Sequence, residues 1–272
     1  MIPIAIMTLM SPQHGHEIKY LVEKEGTVSY RVWGSVLRQY AGGKTAPALR
    51  SANVNGVFTL TFKRSMDGFD VSGAWDALKL SDQSKPLPES DRKRATFGKW
   101  IGAYPTGPFK LLINGKAATP SPYSALGWPL LWAPLKQGLS LRIDDETARE
   151  TAFPVSAFLE DDPIEDVLIP LRVVFEGPHR DGEKRYWKFK IDTEFSNVKP
   201  VKHPDVAGLS LATSARIGGS LLLRREDGSL ENGAMFATYR FELLKPNNEI
   251  PFSSCNATVA CNWERLPPEP RK

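Results

Sequence analysis

Apolar and polar residues alternate along most of this chain, most regularly over residues 167–195, VLIPLRVVFEGPHRDGEKRYWKFKIDTEF. Leu171, Val173 and Phe175 alternate with Arg172, Val174 and Glu176. Trp187, Phe189, Ile191 and Phe195 alternate with Lys188, Lys190, Asp192 and Glu194. A period of two puts successive side chains on opposite faces, so each run reads as a strand with one buried side. Residues 177–183 between them have a turn composition, and the whole predicts a β-hairpin.

The pattern recurs elsewhere. Residues 16–24 and 27–40 read as two strands meeting at Glu25-Gly26. Residues 56–64 and 69–75 flank the turn Ser65-Met66-Asp67-Gly68, and Asn114-Gly115 follows a short strand at 109–113. Asp-Gly and Asn-Gly supply the positive φ that hairpin turns need. Strands are also predicted at 152–158, 209–216, 219–225 and 234–244, with a bulge or bend at Gly218-Gly219. Residues 144–151 are the most helix-compatible stretch, and no long amphipathic helix is predicted. The expected fold is all-β: antiparallel meanders and hairpins forming a curved sheet, half-barrel or sandwich, with little helix. Residues 81–99 are polar, charged and broken by prolines. They divide a β-meander region at 16–80 from a larger antiparallel β domain at 100–265, as a linker or excursion.

Composition narrows the partners. The net charge of +4 is mild, and acidic residues are interspersed with the basic ones. No basic stripe suited to nucleic acid results. Residues 2–10 are apolar but too short to span a bilayer, so no membrane-spanning segment is expected. That run reads as the tail of an export signal or as a first strand, and export is the favoured expectation. Cys255 and Cys261 are an even count in a polar setting. They suit a local disulfide in an oxidising compartment.

Candidate chemistry is sparse. Gly42-Gly43-Lys44-Thr45 resembles the end of a phosphate loop, but Arg38 stands where that motif needs glycine. His14 and His16 would share one face of a strand, yet no further ligand is indicated. The acidic residues Glu160, Asp161, Asp162, Glu165 and Asp166 lack calcium-loop spacing and read as a solvated loop. No serine stands in a G-x-S-x-G elbow. No catalytic residue, metal site or cofactor is therefore assigned. Tyr123, Trp128 and Trp132, in SPYSALGWPLLWAPL, either line an apolar ligand groove or cover an open sheet end.

The order of features over residues 100–195 carries a resemblance. SPYSALGWPLLWAPL leads to Lys136-Gln137-Gly138, then to DDPIED, then to VLIPLRVVFEGP with Ile169-Pro170, and a Gly-Glu-Lys-Arg-Tyr turn opens the return strand. This resembles the β-rich region that precedes the OmpA-like module of spirochaetal envelope proteins. HEIKYLVEKEGTVSYRV is similar to that family's opening strands. No OmpA-like module is read after Leu244, so peptidoglycan binding does not carry over. The resemblance implies an envelope setting and a non-catalytic β architecture. Curved sheets of this kind are also similar to lipoprotein-carrier half-barrels, by fold analogy alone.

The leading expectation is an exported, non-enzymatic β protein of the bacterial cell envelope or periplasm, acting as a binding or structural module on an unknown envelope component. One alternative is a carrier of a lipid or other apolar ligand in a curved sheet. Another is a hydrolase with an unrecognised carboxylate site. A cytoplasmic location is the alternative to export.

Overall fold

The computed structural model describes residues 15–18, 26–42, 45–66, 68–82, 98–104, 109–118, 139–153, 155, 158–159, 164, 167–246 and 250–268. Its strands in chain order are β1 (His16–Ile18), β2 (Gly26–Gly42), β3 (Thr45–Ser65), β4 (Gly68–Asp82), β5 (Lys99–Tyr104), β6 (Phe109–Ile113) and β7 (Lys116–Ala117). There follow β8 (Leu139–Leu141), β9 (Glu146–Phe153), β10 (Val167–Asp181), β11 (Lys184–Pro200), β12 (Ser210–Arg224), β13 (Leu230–Leu244) and β14 (Ser253–Arg265). The expected all-β class is borne out: the described residues form one open, curved, antiparallel sheet of 12 strands, with a separate two-stranded ribbon and essentially no helix among them.

Two meanders make the sheet. One runs outward from β2 to β7, the other inward from β9 to β14, and β14 pairs with β2 to zip them together. The regions on either side of residues 81–99 are thus parts of one sheet. A separate two-stranded ribbon pairs β1 with β8, His16 opposite Leu141.

Alternation decides which face is buried. Tyr30, Val32 and Val36 of β2 turn inward, as do Ala237, Tyr239 and Phe241 of β13, and Ala257, Val259 and Trp263 of β14. These and their counterparts on the other long strands form one apolar cluster. Register is strongly specified here, because a one-residue slip would carry a whole strand's apolar set to the other face.

Several expectations are corrected. The 167–195 hairpin forms, but β10 continues through a bulge between Phe175 and Gly177, and the turn shrinks to Gly182-Glu183. β1 pairs with β8 rather than with β2. Residues 146–153 are the strand β9, not a helix, since pairing with β10 outweighs a weak local preference. Gly218 and Gly219 pair without a break, and the irregularity falls between Leu222 and Leu223. Gly219 is needed for close approach instead, because a Cβ there would lie 2.1 Å from the carbonyl oxygen of Ala234. Pro170 fits because β10 meets β11 only from Val173 onward, so one side of its ladder is not made there.

The disulfide is also corrected. Cys255 and Cys261 are thiols on one extended strand, both facing the core. Six residues of strand separate their Cα atoms by about 20 Å, where a disulfide needs less than about 7 Å.

Candidate ligand-binding faces

One row of inward residues crosses the sheet through successive register partners. It starts at Phe175, Phe189 and Leu221 on β10 to β12. It continues through Gly233, Trp263 and Val32 on β13, β14 and β2, and ends at Gly56 and Leu78 on β3 and β4. The two glycines make room for indole rings. A Cβ on Gly56 would stand 3.0 Å from the ring of Trp75, and one on Gly233 would stand 3.2 Å from Trp263 and 2.9 Å from Leu221. The result is a face rich in aromatic rings: Phe175 meets Phe189 at 5.2 Å and Trp187 at 5.7 Å, and Phe58 meets Trp75 edge-on at 5.1 Å.

Among the described residues, two small pieces lie on this face. The first is the β1–β8 ribbon, whose His16 ring stands 5.3 Å from Trp187 and 5.7 Å from Phe175. The guanidinium of Arg225 also packs on Trp187, 4.0 Å from the ring centroid. The second piece follows β9. Val155, Phe158, Leu159 and Ile164 are buried although none belongs to a strand of the sheet. The N–H groups of Phe158 and Leu159 donate to the carbonyl of Val155 at 2.8 and 3.1 Å, which turns the chain tightly. Phe158 packs on Tyr239 and Phe241 at 5.9 and 5.8 Å, and those two rings stack on each other.

Few polar groups share this face. Arg38, Thr193, Thr213 and Ser253 are buried there. Thr193 Oγ1 accepts the N–H of Arg172 at 2.7 Å, and the Tyr30 hydroxyl donates to the carbonyl of Leu230 at 3.1 Å. The indole N–H of Trp75 is buried and meets no acceptor among the described residues. Burial pushes the phenols of Tyr30 and Tyr239 well above the ordinary value of 10.0.

The opposite face has a different character. A groove of about 530 Å³ crosses it over six neighbouring strands, from Glu194 on β11 to Leu49 on β3. Leu37, Gln39, Thr238, Asn256 and Thr258 line it, all residues that alternate with buried ones. Its floor carries hydroxyl and amide groups with exposed leucines at one end, and the charged side chains of Glu194, Arg216 and Arg240 also line it.

Among the described residues no three His, Cys, Asp or Glu side chains come together as metal ligands. The carboxyl of Asp192 is held below its usual range by a hydrogen bond from Lys190 at the surface, opposite to the raised value a general acid needs. Tyr123, Trp128 and Trp132 lie outside the described residues. Phe158 and the Gly–Trp pairs were not singled out by sequence, and His16, considered there as half of a His-x-His pair, stands against the rings of Trp187 and Phe175. Only the proline at 154 signalled that the run 152–158 would not stay one strand.

No family model matches this chain, and no curated protein matches it. Solved structures resemble it weakly. A structure describing lipid–protein interactions in lipovitellin aligns with a TM-score of 0.42 and 10% identity over 92% of this chain. The chain spans only 26% of that lipovitellin chain. A LolA superfamily protein from Nitrosomonas europaea aligns with a TM-score of 0.17 and 7% identity, covering 93% of this chain and 90% of its own. A DUF1329 family protein from Desulfovibrio piger gives 0.20 and 8%, covering 89% and 85%. Likenesses this weak carry no argument about what the chain binds. No helix among the described residues is long and apolar enough to cross a membrane.

Proposed function

We propose that the protein is a non-enzymatic carrier that shelters an apolar ligand, of the lipid acyl-chain class, between the inner face of its curved sheet and a displaceable cover. One observation carries this reading. The inner face has an aromatic lining fit for a core, yet the described pieces lying on it are a two-stranded ribbon and a short turn rather than a second sheet or a layer of helices. Burying four side chains such as Val155, Phe158, Leu159 and Ile164 is worth about 6–12 kcal/mol, at about 1.5–3 kcal/mol each. At about 0.8 kcal/mol per methylene, an acyl chain of about 8–15 methylenes replaces that contact evenly. Ligand and cover are then interchangeable occupants, as a carrier that loads and unloads requires. The buried indole N–H of Trp75 offers a partner to an acceptor oxygen on the ligand.

The setting we propose is the bacterial cell envelope. It rests on the apolar run at residues 2–10 and on the resemblance of residues 100–195. The cysteines no longer contribute to it. Fractionation of the natural host separates a periplasmic pool from a cytoplasmic one.

Shortening the cover tests the carrier reading. Phe158→Ala should bind a fluorescent fatty acid several-fold more tightly than the natural chain does, because the competing ring is gone. Unchanged or absent binding in both proteins overturns the reading.

A further inference from the structure

We propose that Arg38 and Arg50 form the head-group end of the inner-face site and select an amphiphile whose acyl chain ends in an oxyanion, a carboxylate or a phosphate. This rests on the carrier reading above and narrows its ligand. Placement is the first reason. Arg38 on β2 and Arg50 on β3 are direct partners in the antiparallel register. Both hold inward positions: Arg38 is 2% exposed, and the half-buried Arg50 shares its parity with the buried Ala52, Val54 and Phe58. Side chains directly opposite each other on one face start about 5 Å apart at Cβ. Between Tyr30 and Tyr40 on β2, and between Arg50 and Phe62 on β3, all remaining inward residues are aromatic, aliphatic or glycine. Over those spans each strand breaks its apolar row once, with the same residue, at facing positions.

Energetics is the second reason. A guanidinium keeps its charge in a folded protein. Like charges directly opposite on a strand pair are destabilising. Burying a charge costs more still unless an opposite charge and hydrogen bonds match it. Aliphatic residues at both positions would continue the rows around them at no such cost. An oxyanion reverses both effects, because it lies between the two positive charges and accepts from both forks, the bidentate recognition to which arginine is suited. Each guanidinium carries five N–H donors, so an entering head group binds beside, or in place of, the groups that the protein itself supplies.

Position relative to the cover is the third reason. Across the sheet the row runs from Arg50 and Arg38 through Ala257 to Tyr239. Tyr239 is one of the rings on which Phe158 packs. Arg38 and Tyr239 are two strands apart, about 10 Å. An amphiphile headed at the arginines then lays its chain along the ground that Phe158 covers. Because Arg50 is only half-buried, the head group stays within reach of water. Tyr40, the next inward residue of β2 and 1% exposed, brings a phenol to the same corner.

Binding of a fluorescent fatty acid and of its methyl ester, the same chain without the charge, tests this on the full chain at neutral pH. The acid should bind at least about tenfold more tightly than the ester, the gain expected from hydrogen bonds to a charged group. In Arg50→Gln the acid should fall towards the ester's affinity while the ester binds as before, and Arg50→Lys should recover part of the preference. A phosphate-headed lysolipid should displace the acid, whereas inorganic phosphate at the same concentration should not, since it lacks the chain. Equal binding of acid and ester, a preference that survives Arg50→Gln, or displacement by inorganic phosphate as effective as by the lysolipid overturns the head-group proposal and leaves the carrier reading standing. Binding of neither acid nor ester overturns both. If Arg50→Gln fails to fold, the comparison of acid with ester in the natural chain decides.

Discussion

The outward residues of β11 include Lys188, Lys190, Asp192 and Glu194, whereas those of β14 include Asn256, Thr258, Ala260 and Asn262, with Glu264 at its end. Inward, the same two strands match: Phe189 and Ile191 on one, Val259 and Trp263 on the other, all buried. The inward set determines register and the shared core. The outward set determines what the finished sheet meets. Near the β9 edge, charges keep that face in water and discourage other chains. Around the seam where β14 joins β2, hydroxyl, amide and small side chains dominate, with Arg216 and Arg240 standing among them.

If the inward faces are equivalent, deep truncations on either side cost alike. Phe189→Ala and Phe241→Ala, both fully buried, should each lose about 3–5 kcal/mol in chemical denaturation. A much smaller loss for Phe241 would mean that the ground under Phe158 is loosely packed. The buried phenols of Tyr30 and Tyr239 add a pH signature to this core. In the folded protein each keeps its proton above pH 10.0, while the unfolded chain releases it there. The unfolded state then binds fewer protons, so stability falls as pH rises past 10, by about 1.4 kcal/mol per pH unit for each tyrosine. Below that pH the contribution is fully present. A denaturation midpoint that stays level into strong alkali would contradict their burial.

Exchanging outward residues sharpens the contrast between the two regions. Thr258→Lys, on the outer face of β14, should leave unfolding within about 0.5 kcal/mol. Lys190→Thr, on the outer face of β11, should change it by no more than that. Smallest of all is the surface pair Lys188–Glu176, 3.0 Å apart and well exposed on both sides. A double-mutant cycle should give it about 0.2–1 kcal/mol, vanishing in high salt. Cys255 and Cys261 should show no reaction with a thiol reagent in the native state and full reaction after unfolding, since both are buried and burial pushes the Cys261 thiol up.

The period-two pattern at Leu171, Val173 and Phe175 and at Trp187, Phe189 and Ile191 was readable because alternation is local. What pairs with what is not local. Nothing near Cys255 shows that its strand lies against Tyr40, more than two hundred residues away. The serines, asparagines and small apolar residues of 253–261 therefore look like a loop, although Ser253, Cys255, Ala257, Val259 and Cys261 form an inward row. Residues 144–151 suit a helix in isolation, and 146–153 become a strand only through β10. The inner face was legible as apolar, but its cover was not. Phe158 turns back onto Tyr239 and Phe241 across some eighty positions, and a lone aromatic in a short run carries no mark of that role. The hydroxyl and amide groups in the outward row of β14 were legible in its residues, and only the pairing with β13 and β2 places that row in mid-sheet.

Which face holds the ligand is the point on which the account stands or falls. A photoreactive fatty acid, bound to the native protein, activated and located by peptide mass spectrometry, reads it directly. The account predicts label on inward residues such as Phe241 and Trp263 and on the turn at Phe158, with none on Phe236 or Thr258. Label confined to the outer face, or no specific label at all, would contradict it.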